Sequence, residues 1–310
     1  MASCSAITGG CGYIGLRLAR FLLDKDPSNT VLLLDVRPPD VELDATRLTY
    51  RHCDIRNAHS VNDALASATC VYHLASYGMS GREVLNGPMI YEVNVVGTEN
   101  ILQACRQHGI AKVIFCSTYN TIYTGQRELI DVTEDQCSYP DLTAYCDEYS
   151  RTKALAEQAV LKANSSELGT VIIRPAAIYG DGEGRHLPRI LTMARQGLAF
   201  FSVGDATVRC DWVYADNLVS ALVLAEESLP KHAGEVYFIS DDHPVNNFQF
   251  LSQLTQGLGY ESCFTLSTST TVMFYLALAI EMIHGLLARY IYDFAQIGRA
   301  SCRERVLNLV

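Results

Sequence analysis

The eight residues TGGCGYIG, Thr8 to Gly15, constrain the fold of this 310-residue chain more than any other stretch. They follow a short apolar run, Ser5 to Ile7, and precede apolar residues that repeat every three to four positions, as in a helix. A glycine turn between a strand and a helix is the context that a dinucleotide-binding fingerprint requires. In that fingerprint Gly9 permits the tight turn, Gly12 lets a pyrophosphate approach the backbone, and Gly15 lets the helix pack closely on the strand.

Two further residues of the turn, Tyr13 and Ile14, open the predicted helix, whose N-terminus faces the phosphates of a bound dinucleotide. The next apolar run, Val31 to Asp35, predicts a buried parallel strand that ends in an acid. Asp35 stands where the fingerprint places the acid that binds the adenosine ribose. Its carboxylate accepts from a 2′-hydroxyl and repels a 2′-phosphate, which favours NAD. Arg37 keeps NADP open as an alternative, because a nearby Arg can receive that phosphate.

Strands and helices continue to alternate through the first half of the chain. The sequence predicts strands at Tyr50 to Asp54, Val71 to Ser76 and Lys112 to Thr118, and a long amphipathic helix from Met89 to His108. This alternation predicts an α/β protein with a Rossmann doubly wound parallel sheet. Ligands of such a sheet bind at the carboxyl ends of its strands.

Several side chains follow these strand ends. We expect Asp54 and Ile55 to meet an adenine, and Ala75 to lie beside the cofactor. We interpret His73 as a hydrogen-bonded core histidine rather than a site residue. Asn94 is either hydrogen-bonded near the site or a helix-packing residue, and the sequence leaves both open.

The stretch YSRTK, Tyr149 to Lys153, carries the candidate chemistry. Strong helix formers follow it, so the phenol and the ammonium lie one turn apart on one helix face. A nearby cation favours the phenolate form of a tyrosine, which makes the pair a candidate acid and base. The pattern alone is short and recurs by chance between two surface residues. It gains weight here from the nucleotide fingerprint upstream and from the hydroxyl of Thr118 at the end of a predicted strand.

Composition excludes other classes of protein. The formal net charge is −10 and no run of Lys and Arg occurs, which argues against a nucleic-acid partner. The 11 cysteines contain no C-x-x-C pair and no zinc-like spacing with His, so we expect reduced thiols and no metal site. The N-terminus lacks a basic segment followed by a long apolar run, so we expect no cleaved signal peptide.

In this order the motifs resemble those of the extended short-chain dehydrogenases/reductases. The resemblance rests on the first 180 residues: TGGCGYIG, Asp35, Asp54 with Ile55, HLAS (His73 to Ser76), NVVGT (Asn94 to Thr98), STYN (Ser117 to Asn120), YSRTK and RPAAIYG (Arg174 to Gly180). Within that class the chain resembles the 3β-hydroxysteroid dehydrogenase-like branch, most closely the group numbered 42E. This narrower resemblance rests on YSRTKALAEQ, RHLPRI (Arg185 to Ile190), DWVYADNLV (Asp211 to Val219) and YFISDDHPVNNFQF (Tyr237 to Phe250).

The resemblance implies a role for each matching residue. Tyr149 would accept the proton, and Lys153 would hold the nicotinamide ribose and lower the pKa of Tyr149. Thr118 stands where many members have Ser, and its hydroxyl would bond the substrate oxygen. Pro175 and Ile178 would contact the nicotinamide.

The implied activity is NAD-dependent oxidation of the 3β-hydroxyl of a steroid or sterol-like molecule. Two alternatives stay open: a nucleotide-sugar epimerase of the same superfamily, and a non-catalytic NAD(H)-binding protein. Dehydratases of the superfamily carry an Asp-Glu pair directly after the strand-end hydroxyl, whereas this chain has Tyr119 there. Relatives also imply a homodimer through the helices near 89–108 and 149–164.

The second half of the chain has a looser pattern. We expect an NAD-binding domain at 1–180 with returning elements in 208–240, and a substrate-binding region at 181–296. The most apolar segment, 272–291, is long enough to span a bilayer but carries Glu281 near its middle. An interfacial helix, a spanning helix and a core helix are therefore all open.

Steroid-active relatives are membrane-associated, so the resemblance favours the interfacial helix. It implies an intracellular protein on a membrane, with the endoplasmic reticulum expected and the cytoplasm as the alternative. Residues 297–310 form an atypical tail, in which IGRASCRERV has the pattern of a translated sequencing adapter. We therefore expect a longer natural C-terminus.

Overall fold

A parallel seven-stranded sheet is the central element of the computed structural model, which describes residues 3–40, 46–126, 128–229, 231–261 and 263–287. The strands are β1 Cys4–Thr8, β2 Thr30–Asp35, β3 Leu48–His52, β4 Cys70–His73, β5 Lys112–Cys116, β6 Gly169–Pro175, β7 Ala177–Tyr179, β8 Phe201–Val203, β9 Trp212–Tyr214, β10 Val236–Ile239 and β11 Leu266–Thr268. The strand order of the sheet is β10-β6-β5-β4-β1-β2-β3. The predicted doubly wound sheet is confirmed.

Helices cover the strands. They are α1 Tyr13–Lys25, α2 Ala58–Leu65, α3 Gly87–Tyr91, α4 Gly97–His108, α5 Glu148–Ala163, α6 Leu187–Arg195, α7 Ala215–Ser228, α8 Asn247–Gly257 and α9 Thr270–Leu287. A π-helical turn, Glu92–Val96, joins α3 to α4, so the predicted helix at 89–108 is one helical segment with a widened turn. The inner strands are buried on both faces, which explains why they read as continuous apolar runs.

The carboxyl ends of the central strands share one edge. Thr8 of β1 pairs in register with His73 of β4, and His73 pairs with Phe115 of β5. Three strands end earlier than predicted: β3 at His52, β4 at His73 and β5 at Cys116. After β3 the amide of Asn57 donates to the carbonyl of Asp54, which closes a turn instead of extending the ladder.

The described chain divides into two compact units. The first comprises Met1–Met79, Asn86–Ile178 and Val213–Ser240, and it contains the parallel sheet. The second comprises Ser80–Leu85, Tyr179–Trp212 and Asp241–Val310. Within the second unit, Tyr179, Trp212 and Phe250 form an aromatic cluster with ring centroids 4.5 to 6.1 Å apart.

Helix α9 exposes apolar side chains along most of its length. Val272, Tyr275, Leu276, Ile280 and Ile283 are each 45% or more exposed. No helix within the described residues is both long and apolar enough to cross a membrane. The predicted end of this helix, 288–291, and the tail at 297–310 lie outside the described residues.

A buried ion pair joins α5 to β6. Glu157 is fully buried, and Arg174 is 4% exposed. Arg174 donates from Nε to both carboxylate oxygens at 3.1 Å and from Nη2 to Oε2 at 2.7 Å. The guanidinium also lies 5.4 Å from the ring centroids of Tyr139 and Phe238. Because both charges are desolvated, each depends on the other for compensation.

We predict that Arg174→Met lowers the free energy of unfolding by about 3 to 5 kcal/mol, because it leaves the Glu157 carboxylate buried without its cation. Urea unfolding followed by circular dichroism measures the loss. The matched control is Lys112→Met, since Lys112 pairs with Glu226 at 2.9 Å but is 38% exposed. We expect about 1 kcal/mol or less for the control. Equal losses in the two variants would contradict the prediction.

Candidate active site

The glycine turn between β1 and α1 has the backbone geometry that only glycine accepts. Gly9 has φ +65°, and a Cβ added there would lie 3.0 Å from the backbone of Ala75. A Cβ on Gly15 would lie 2.6 Å from the carbonyl oxygens of Gly9 and Gly10. The amide of Gly12 donates to the carbonyl of Gly9 at 3.0 Å, which closes the turn. The turn therefore brings the ends of β1 and β4 together at the start of α1, where Tyr13 and Ile14 begin the helix.

The Asp35 carboxylate is fixed beside this turn. Its Oδ2 accepts from the amide of Cys11 at 3.2 Å, and its Oδ1 accepts from the amide of Arg37 at 3.2 Å. The acid and the glycine turn are thus joined directly, as a ribose and a pyrophosphate of one dinucleotide require. These groups fit NAD. The Asp35 carboxylate can accept from a ribose hydroxyl, and the glycine turn with the helix N-terminus can bind the pyrophosphate.

The two residues expected beside the adenine differ in placement. Asp54 pairs with Arg56 at 2.6 Å, and hydrogen bonds from Arg56 lower the pKa of this carboxyl. The side chain of Ile55 is buried, and a Cβ on Gly97 would lie 2.6 Å from it, so it packs against α4. Asp54 is therefore the more accessible of the two for a ligand.

His73 is a core residue, as we interpreted it. Its ring nitrogens bond the hydroxyls of Thr8 at 2.7 Å and Thr98 at 2.9 Å. Burial, with a smaller effect of the Lys153 charge, lowers the pKa of His73 to about 3. The ring is therefore neutral at physiological pH and fully engaged in holding β1, β4 and α4 together.

Asn94 lies in the π-helical turn, and its side chain makes three hydrogen bonds. Its amide oxygen accepts from the backbone of Tyr77 at 2.9 Å, and its nitrogen donates to the carbonyl of Tyr77 and to the hydroxyl of Thr152. Thr152 directly precedes Lys153. Asn94 thus joins the loop after β4 to α5, which combines the two roles that the sequence left open.

Tyr149 and Lys153 lie on the inner face of α5. Tyr149 is 7% exposed and Lys153 is 2% exposed. Both are therefore buried, whereas a chance occurrence of the pattern would place them on the surface. Asp147 caps the helix by accepting from the amide of Ser150 at 2.6 Å. The helix begins directly after this cap, at Glu148, and the helical spacing then aligns Tyr149 and Lys153 on the buried face.

The Lys153 ammonium binds the end of β5. Its Nζ donates to the carbonyl of Cys116 at 2.9 Å and lies 4.0 Å from the centroid of the Phe115 ring. Burial lowers the pKa of Lys153 to about 8, while Cys116 and Glu157 act in the opposite direction. The amine therefore remains mostly charged at neutral pH inside the protein.

Two hydroxyls follow β5. Thr118 is half-buried and begins a 3₁₀ turn, Tyr119–Ile122, where its hydroxyl accepts from the amide of Asn120 at 3.3 Å. The Ser117 hydroxyl is buried and has no hydrogen-bond partner within the described part of the chain. At the end of β6, Pro175 is buried and Ile178 is half-buried in the following strand. The catalytic and nicotinamide-contact roles of these residues stay predictions.

Sequence reasoning missed one part of this region. The Thr121 hydroxyl shares its one proton between the carbonyl of Thr118 at 3.0 Å and Oε1 of Glu157 at 3.1 Å. Two sequence signals indicate the Glu157 end of this contact. Glu157 follows Lys153 by one helical turn, and Arg174 begins the motif RPAAIYG. A carboxylate on the buried face of a helix requires a cationic partner, and Arg174 is a candidate for that partner in the sequence.

The parallel sheet, the glycine turn bonded to Asp35, and the buried Tyr-x-x-x-Lys face together define an extended short-chain dehydrogenase/reductase. Residues 6–267 match the 3-beta hydroxysteroid dehydrogenase/isomerase family. The chain is also 45% identical over 300 residues to short-chain dehydrogenase/reductase family 42E member 1 of Danio rerio, with 93% of this chain and 76% of that protein covered. The chain belongs to the 3-beta hydroxysteroid dehydrogenase/isomerase family.

More distant relatives extend the comparison. A 3beta-hydroxysteroid-dehydrogenase/decarboxylase isoform of Arabidopsis thaliana is 32% identical over 304 residues, which cover 92% of this chain and 67% of that protein. The crystal structure of a dTDP-glucose 4,6-dehydratase from Streptomyces venezuelae, with NAD bound, aligns with a TM-score of 0.71 at 25% identity over 86% of this chain and 84% of that one. The predictions of fold, of family and of NAD as the cofactor are confirmed. The chain is an NAD-dependent oxidoreductase of this family.

We predict that buried Lys153 makes folding stability rise with pH between about 8 and 10.5. In that window the unfolded chain, with an ordinary lysine pKa, binds more protons than the folded chain, so the free energy of unfolding increases as pH increases. Urea unfolding at pH 8, 9 and 10 would compare the wild type with Lys153→Met. The free energy of unfolding of the wild type minus that of Lys153→Met should increase with pH. Exposed Lys162 of the same helix is the control, and Lys162→Met should give a difference that is flat; a flat difference for Lys153→Met would refute the prediction.

Proposed function

We propose that this protein oxidises the 3β-hydroxyl of a steroid or sterol-like substrate with NAD. The observation that carries the proposal is the buried face of α5, where Tyr149 stands one turn from a Lys153 ammonium that binds the end of β5. The Arabidopsis relative, named a 3beta-hydroxysteroid-dehydrogenase/decarboxylase, supports the choice of a 3β-hydroxyl. The family match over residues 6–267 supports it as well.

The reaction removes a proton and a hydride from one carbinol group. NAD supplies the acceptor for the hydride when it is bound at the glycine turn and Asp35. The Tyr149 oxygen takes the hydroxyl proton as general base. The Thr118 hydroxyl bonds the substrate oxygen and holds it toward Tyr149.

The role of Lys153 follows from its burial. A cation in a site of low dielectric stabilises a nearby anion more strongly than the same charge does in water. Its one described hydrogen bond is to the Cys116 carbonyl, so two of its three N–H groups remain for the ribose of the cofactor and for water. Lys153 thus favours phenolate at Tyr149 and orients the nicotinamide half of NAD.

Substrate chemistry separates this proposal from the nucleotide-sugar epimerase. Both use the same tyrosine and lysine, but an epimerase returns the hydride and shows no net reduction of NAD. An apolar substrate also agrees with the apolar side chains that α9 exposes. We further propose that α9 lies on an intracellular membrane, the endoplasmic reticulum being the expected one, where a sterol would partition. The homodimer expected from relatives stays a prediction.

A screen of 3β-hydroxysterols with purified protein tests the proposed reaction. Turnover should appear as NADH absorbance at 340 nm, with 3α-hydroxy epimers as matched controls. Turnover of uridine-diphosphate sugars without net NADH, together with no sterol turnover, would replace the proposal by the epimerase. Tight NAD binding with no turnover of either class would favour the non-catalytic alternative.

We predict that Tyr149→Phe lowers kcat by about 10²- to 10⁴-fold, because the general base is lost. The affinity for NAD, measured by calorimetry, should stay unchanged. The control is Tyr72→Phe, since Tyr72 is also buried but donates to Glu226 at 2.7 Å, and it should keep full activity. Retained turnover in Tyr149→Phe would exclude Tyr149 as the base.

We predict that Leu276→Asp weakens binding of the full chain to phosphatidylcholine vesicles by about tenfold or more, because an apolar contact is replaced by a charge. Co-sedimentation at increasing lipid concentration measures the affinity. Leu224 of α7 is also exposed, at 61% against 50% for Leu276, so Leu224→Asp is the matched control and should bind as the wild type does. Equal binding of both variants and the wild type would reject α9 as the contact surface.

A further inference from the structure

Thr121 is a fully buried residue that joins three elements around the candidate site. Its single hydroxyl proton is shared between two acceptors, the carbonyl of Thr118 at 3.0 Å and Oε1 of Glu157 at 3.1 Å. Its amide also donates to the Thr118 carbonyl at 3.3 Å. Its own carbonyl accepts from the phenol of Tyr145 at 2.6 Å. These hydrogen bonds restrict the backbone conformation of the 3₁₀ turn that follows Thr118.

Glu157 is the rigid partner in this arrangement. Arg174 holds its carboxylate at two points, and the phenol of Tyr139 donates to Oε2 at 2.7 Å. Glu157 stands four residues after Lys153 and eight after Tyr149 on α5, so all three share one helix face. The turn with Thr118 is therefore anchored to the same helix that holds the acid-base pair.

Thr118 itself has a weakly fixed side chain. Among the residues that the structure describes, its hydroxyl makes one hydrogen bond, a long one of 3.3 Å from the amide of Asn120. The place of the hydroxyl then depends on the backbone at Thr118, and Thr121 restrains the carbonyl of that residue with two hydrogen bonds. Loss of the hydroxyl bond would leave only the longer bond from the Thr121 amide, so the peptide plane after Thr118 would be held less tightly.

We propose that Thr121 is a positioning residue, which locks the Thr118 turn onto Glu157 of α5 and so sets the Thr118 hydroxyl relative to Tyr149. This inference rests on the proposed function, in which Thr118 holds the substrate oxygen. A purely structural role of Thr121 would be to satisfy the Glu157 carboxylate. That need is already met, because Arg174 donates to Oε1 at 3.1 Å.

The first test compares two substitutions that differ by the hydroxyl. Thr121→Val keeps the shape but removes the donor, and kcat/KM for the sterol substrate should fall by about tenfold, since small misplacements of a reacting group cost up to about 10²-fold. Thr121→Ser keeps the donor and should restore kcat/KM. NAD affinity should be equal in the wild type and both variants. A Ser variant as impaired as the Val variant would overturn the proposal.

A matched control separates positioning from stability. Thr170 of β6 is also fully buried and donates its hydroxyl to a backbone carbonyl, that of Val160 at 3.3 Å. It stands at the amino-terminal half of its strand, away from the edge that carries the site. Thr170→Val should lower the thermal midpoint as much as Thr121→Val does, but leave kcat/KM unchanged. Equal losses of kcat/KM in both variants would show that Thr121 acts through stability alone.

A double-mutant cycle tests whether Thr121 acts through Thr118. Thr121→Val should lower kcat/KM in the wild type but cause no further loss in Thr118→Ala, where the positioned hydroxyl is absent. Multiplied losses in the double variant would mean that the two residues act independently, which would overturn the proposal while leaving the proposed function intact.

Methyl NMR of threonine-labelled protein with NAD needs no substrate. The order parameter of the Thr118 methyl group should fall in Thr121→Val and recover in Thr121→Ser, because the anchoring of the turn is a property of the protein itself. An unchanged order parameter in Thr121→Val would refute the anchoring. If no sterol is turned over by the wild type, the proposed function fails, and the NMR result still decides whether Thr121 holds Thr118.

Discussion

The placement of one buried ammonium organises the chemistry of this protein. Lys153 is nearly inaccessible, its Nζ donates to the Cys116 carbonyl, and it faces the Phe115 ring. Removing such a charge from water is unfavourable, and burial lowers the pKa of Lys153 to about 8 for that reason. In the proposed reaction, the folded state that carries this cost has a cation ready for an anion at Tyr149 and for the cofactor ribose. Stability is here exchanged for electrostatic preorganisation.

Helix α5 is the element through which that exchange is managed. Asp147 caps it, Tyr149 and Lys153 follow on the inner face, and Glu157 continues that face about 12 Å from Tyr149 at 1.5 Å per residue. The helix bonds β5 through Lys153 and β6 through the Glu157–Arg174 pair. Because a helix is stiff, contacts at its far end hold the geometry at its near end. The site is therefore supported from residues that touch no reactant.

Much of the fold was predictable, because its signals are local. The glycine turn, the acid at the end of β2 and the alternating apolar runs each depend on a few adjacent residues, and together they indicate one sheet topology. The π-helical turn at Glu92–Val96 was not predictable. It accompanies hydrogen bonds from Asn94 to Tyr77 and Thr152, which are distant from it in sequence. The packing of the Ile55 side chain against Gly97 of α4 was not predictable either, since the two residues are distant in sequence.

The sequence by itself determined the class of protein, the alternation of strands and helices that builds its parallel sheet, and the placement of Tyr149 and Lys153 one turn apart on one helix face. These follow from apolar residues that repeat every two to four positions, and from glycines at positions where a side chain would not fit. Only the tertiary structure decided that Lys153 binds the end of β5, that Asp35 binds the backbone of the glycine turn, and that Thr121 connects Thr118 to Glu157. Each of these bonds joins residues 24 to 37 positions apart. Their geometry is set by how the helices pack on the sheet, which no local pattern of side chains encodes.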